Sequence, residues 1–211
     1  MTAGGKVPVV FTPSNEPYLG LETLHAFDKL ISACLEMNMR VAEYTRSQSL
    51  NEMQKALSQI VPSSISICLS IRELLRQGYV YGALVFLRPL AERIVTGIYL
   101  SENPSHLSIW HDGWEYNKRP GFKKMIRELW GDEFSGVEKA ITEPLNSLIH
   151  GDPESSKWNM VVGKNGDPSY AVSKILDRPD LCSKAALEAA TWLAEVVGLM
   201  TEHFLNAEQK S

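Results

Sequence analysis

Apolar residues recur at spacings of three and four along most of this chain, the pattern of helices that each bury one face. From Leu21 to about Arg46, Leu24, Phe27, Ile31, Cys34 and Val41 form one such stripe, with Leu30, Met37 and Tyr44 beside it. Ser49 or Asn51 can cap a second helix carrying Met53, Leu57 and Ile60, which Pro62 is expected to end. Ser63 or Ser64 then opens a third, with Ile67, Ile71, Leu74 and Leu75 inward and Gly78 at its close. The run Gly78–Leu100 is the most apolar helix, its only charges being Arg88, Glu92 and Arg93. Val80, Ala83, Leu84, Leu87, Ala91, Ile94 and Ile98 share one face of it, so it is expected to be central, with a kink near Pro89. Ser183 to about Leu205 repeats the helical period through Leu187, Ala190, Leu193, Val197, Met200 and Phe204.

The intervening segments are shorter or irregular. Residues 1–20, rich in Gly and Pro, read as an irregular arm preceding a single helical domain over 21–211. Pro104–Lys118 reads as a short helix running into a loop, and Lys123–Trp130 and Val137–His150 as two further helices. Short apolar pieces around Asn165-Gly166 allow a small β-hairpin near 158–172. The fold class is therefore all-α, a bundle of about five longer helices with short satellites.

Composition narrows the function classes. With 21 Lys and Arg against 25 Asp and Glu and no basic run, the chain lacks a broad electrostatic footprint for nucleic acid, so RNA contact would have to be local. Cys34, Cys68 and Cys182 are odd in number and sit in apolar helical pattern, which suits buried thiols in a reducing compartment, the cytoplasm by default. No apolar stretch has the length of a signal peptide core or a membrane span. No metal is expected, since the histidines are dispersed and no cysteine pair has ligand spacing. Gly163-Lys164-Asn165-Gly166 lacks the spacing of a phosphate loop, and no cofactor is expected.

Three groups of residues could carry chemistry. His150 follows Asn146 by four residues at a predicted helix end, and Asp152 lies close enough to fix its tautomer, an arrangement suited to proton transfer. Arg88 and Glu92, also four apart, could meet a phosphate or could pair as structural ions. Trp110, His111 and Trp114 could stack a ring or line a ligand pocket, or could cap a core.

The order Gly78-Tyr79, Ala83 to Glu92, then Leu145-Asn146-Ser147-Leu148-Ile149-His150-Gly151 resembles a group of uncharacterised bacterial proteins with HEPN-like helical bundles, over roughly residues 64–205. The resemblance implies a homodimer, while the incomplete motif and the mild acidity favour a non-catalytic interaction or regulatory role, for which a protein partner is allowed. The alternative is a metal-independent ribonuclease, for which the resemblance puts Asn146 and His150 in the polar and histidine roles. Leu145 stands where active members carry arginine, so the phosphate-stabilising cation would have to be Arg88 or Arg93.

Overall fold

The computed structural model describes residues 16–115, 119–131, 143, 146–147, 160–162, 165–170, 175 and 178–206. Four long helices dominate them: α1 (Glu22–Ser47), α2 (Glu52–Arg76), α3 (Val80–Glu102) and, late in the chain, α6 (Pro179–Met200). Between α3 and α6 come a 3-10 turn (Pro104–His106), α4 (Leu107–His111) and α5 (Phe122–Trp130). Strands β1 (Met160–Val162) and β2 (Pro168–Tyr170) pair antiparallel with Met160 opposite Tyr170, giving the expected hairpin across Asn165-Gly166. The fold class is all-α, with this two-stranded hairpin as its small β addition.

The stripe expected on α1 is the buried one: Leu24, Phe27, Ile31, Cys34 and Val41 all face inward. The region expected to hold two helices holds one. α2 runs unbroken through Pro62, because Ile60, Val61, Ile65, Cys68 and Ile71 stay in phase and are all buried. An interior proline costs about 3 kcal/mol, whereas each large aliphatic side chain taken from water contributes about 1.5–3 kcal/mol, so the stripe outweighs the break. The serines that looked like caps turn back along the helix: Ser63 and Ser64 donate to the Ile60 carbonyl at 2.9 and 2.8 Å. α2 starts at Asn51, one of the two caps expected for it, whose side chain accepts from the Gln54 amide at 2.8 Å while the Gln54 side chain accepts from the Asn51 amide at 3.0 Å.

Gly78 ends α2 in the left-handed region, with φ 81°. Its amide donates to the Leu75 carbonyl (3.0 Å) and that of Tyr79 to the Leu74 carbonyl (2.8 Å), a paired closure that turns the chain directly into α3. The Gly78 carbonyl in turn accepts from the Ile175 amide at 2.9 Å, and the buried Tyr18 hydroxyl donates to the Ile175 carbonyl. Nearby, Arg72 of α2 is held by Asp28 of α1 and by Glu16 of the arm.

α3 is central, as its composition required. It packs on α2 along most of its length and on α6, while α1 closes the other side of α6. Gly97 makes this approach close: a Cβ there would lie 3.0 Å from Leu199 Cδ1 and 3.5 Å from Ile60 Cγ2. α3 is a continuous helix across Pro89.

On α6 the expected stripe holds at Leu193 and Met200, and at Phe204 beyond it, but fails at Leu187. Leu187 is 61% exposed, whereas Cys182, Ala185, Ala186, Ala189 and Leu193 are buried. Small alanines face the neighbouring helices, and the larger leucine takes the outer position. Beyond Met200 the helix widens into one π turn, Thr201–Leu205. There the His203 carbonyl accepts from the buried Gln54 side chain at 2.8 Å, and Ser101 Oγ lies 2.8 Å from His203 Nε2.

Two apolar clusters result. The larger joins α1, α2, α3 and α6. The smaller consists of Ala91, Val95 and Tyr99 on α3 with Phe122, Met125 and Ile126 on α5. Trp114 and Trp192 pack against both.

Candidate functional site

The charged pair on α3 lies at the edge of the smaller cluster. Four-residue spacing puts Arg88 and Glu92 one above the other, and Arg88 Nη2 donates to Glu92 Oε1 at 2.9 Å. The Arg88 side chain is only 13% exposed, and its guanidinium carbon lies 4.1 Å from the centroid of the Phe122 ring. Its Nη1 is buried without a hydrogen-bond partner. The stack on Phe122 accounts for that: a desolvated guanidinium over an aromatic face gains about 2 kcal/mol of attraction in place of a hydrogen bond. Glu92 is less enclosed, at 33%, and reaches open space on its other side.

That space is a cavity of about 380 Å³ between α2, α3 and the segment that follows α4. Helix α2 contributes Gln59, Ile60 and Ser63, and α3 contributes Pro89, Glu92, Arg93 and Thr96. Trp110, Trp114 and Arg119 complete the lining. Thr96 is oriented by its own helix, its hydroxyl donating to the Glu92 carbonyl at 2.7 Å. Both tryptophans are half-buried, while Arg93 and Arg119 are exposed. The Trp114 indole nitrogen is buried and unpaired, so this ring meets the cavity with carbon rather than with its N–H.

Among the residues singled out from sequence, Glu92, Arg93, Trp110 and Trp114 line the cavity, and Arg88 holds Glu92 beside it. His111 points elsewhere: its Nε2 lies 3.0 Å from the Glu52 carbonyl and 3.3 Å from the Glu52 carboxylate, which ties α4 to the start of α2. Asn146 is helical and half-buried. His150, Asp152 and Leu145 lie outside the described residues, as does most of the helix expected over 137–150. Gln59, Ser63 and Arg119 were not singled out. A polar residue on the outer side of α2 and an arginine in a loop carry no spacing signal, and only the fold brings them to Arg93.

A second polar contact is made by Tyr99 of the smaller cluster. The Tyr99 hydroxyl donates to Glu128 at 2.7 Å, and burial, reinforced by that carboxylate, pushes the phenol up to about 12. Burial likewise pushes the Cys34 thiol up to about 11 and those of Cys68 and Cys182 to about 12. None of the three is suited to nucleophilic work. Among the described residues no group of three or more His, Cys, Asp or Glu could hold a metal ion.

Residues 54–155 match a family described as of unknown function, DUF5677. The chain is similar to DUF5677 there. The match spans a little under half the chain, and every residue lining the cavity falls within it, whereas α1 and α6 lie outside. No curated protein and no solved structure matches.

Proposed function

We propose that this chain is a non-catalytic interaction or regulatory module of HEPN-like type, working as a homodimer in the cytoplasm. The observation that carries this reading is the engagement of Arg88. A ribonuclease built on His150 needs a free cation at the phosphate, and its first candidate, Arg88, is instead taken up by Glu92 and the Phe122 ring, which leaves Arg93 as the cation to test. The mildly acidic balance of charges and Leu145 in place of the expected arginine support the same conclusion. A homodimer is supported by the resemblance to HEPN-like bundles, and Leu187 of α6, 61% exposed, is a large apolar side chain left outward. Three buried free cysteines support a reducing compartment. Among the described residues no helix is long and apolar enough to cross a membrane.

The test is a cleavage assay with single-stranded RNA and a chelator, using the whole chain. No cleavage is expected. Chelator-resistant cleavage lost in both His150→Ala and Arg93→Ala would establish the ribonuclease reading, with Arg93 as its cation. For the dimer, light scattering should give twice the 23.6 kDa chain mass, and Leu187→Glu should halve it. A 23.6 kDa particle in the unmodified protein would refute it.

A further inference from the structure

The cavity beside α3 presents two kinds of surface, one cationic and one aromatic. Arg93 and Arg119 line it, and among the described residues neither side chain makes an ion pair, although the chain carries 25 Asp and Glu. Trp110 and Trp114 line it as well, half-buried, and the buried Trp114 indole nitrogen leaves ring carbon as the surface which that side chain offers. We propose that this cavity binds a small organic dianion carrying a planar ring, of the aryl phosphate monoester class.

Charge selects the anion. Glu92 also lines the cavity, but its carboxylate is already balanced by Arg88 at 2.9 Å, so Arg93 and Arg119 are left in excess. Two guanidiniums match a phosphate monoester, which carries about −1.5 to −2 at pH 7 and accepts forked N–H donors through several oxygens. A monocarboxylate would leave one of the two unbalanced. The indoles select the ring: their carbon surfaces gain by covering an aromatic group that inorganic phosphate lacks. Size bounds the rest. About 380 Å³ is at the lower end of the range for small-molecule sites, which suits one ring and one phosphate and is too small for a folded segment.

The whole chain should be titrated by calorimetry and by tryptophan emission with phenyl phosphate, inorganic phosphate and phenol in parallel. Phenyl phosphate is expected to bind saturably at one site and to change the emission, at least about tenfold more tightly than either fragment. Arg93→Gln and Arg119→Gln, both at exposed positions, should each weaken it at least about tenfold with unchanged circular dichroism. Trp110→Leu should weaken phenyl phosphate while leaving inorganic phosphate unaffected. The proposal is overturned if phenyl phosphate does not saturate at millimolar concentration, if the arginine variants bind it as the unmodified protein does, or if inorganic phosphate binds equally well.

Discussion

The two apolar clusters meet on α3 but are made of different materials. The larger is nearly all aliphatic, with Phe27, Leu57, Ile71, Leu87 and Phe204 fully buried among four long helices. The smaller is a patch of α3 covered by a nine-residue helix, and what fixes it is specific: Arg88 on Phe122, and Tyr99 to Glu128. The first can tolerate exchange of one aliphatic side chain for another of similar volume, since its stability comes from area and packing. The second cannot, because a short helix holds its place only through named partners. The candidate ligand cavity opens where these two constructions join, beside Trp114, which packs on both.

Alkaline pH should disturb both clusters, and more than any single substitution. In the larger cluster the three thiols are raised from about 9 to about 11 or 12, and in the smaller Tyr99 is raised from 10 to about 12. A raised acid keeps its proton longer when folded than when unfolded. Its stabilisation is therefore complete below the unfolded value and drains away as pH climbs to the folded one. Urea midpoints should hold up to about pH 9 and then fall, and Tyr99→Phe should remove only the part that begins near pH 10. A midpoint that is level to pH 11 would contradict the burial of these groups.

Next in size is Leu57→Ala, which empties a fully buried position in the larger cluster and should cost about 2–5 kcal/mol, read as a lower global melting temperature. Phe122→Ala should cost about 3 kcal/mol, but locally. Hydrogen exchange should speed up in α5 and leave α1 and α6 protected. Equal loss of protection everywhere would mean that the two clusters unfold as one. The smallest effect is expected from Glu92→Ala. A fully buried charge stripped of its partner costs about 3–5 kcal/mol, but Glu92 is a third exposed and Arg88 keeps Phe122, so about 1–2 kcal/mol is expected. An unchanged denaturation midpoint would show that the ion pair contributes nothing.

The contrast also explains what could be read from sequence. The larger cluster announces itself by period, and on α1 all five buried positions follow from spacing. Where reading went wrong, a local rule met a longer-range interest. Pro62 and its serines spell a helix break, and burial on both sides of them overrides it. On α6, hydrophobicity alone favoured Leu187 over the alanines, but close helix contact selects small side chains, and nothing in one helix shows how near its neighbour lies. The cavity was half legible. Glu92 and Arg93 stand out as charges in an apolar helix and Trp110 and Trp114 as aromatics among polar residues, while Gln59 and Arg119, sixty positions apart, are joined only by the fold.

The Gly78 turn has a consequence for the order in which the molecule assembles. Closing α2 onto α3 needs only neighbours in the chain, so that hairpin can form early, at little cost in loop entropy. The latch over the turn is another matter. Tyr18 and Ile175 are separated by 157 positions, and their contact can form only after most of the chain has been gathered. In refolding, amide protection at Tyr79 should therefore appear in an early phase and that at Ile175 in the last one, so that the same turn records both the beginning and the end of folding.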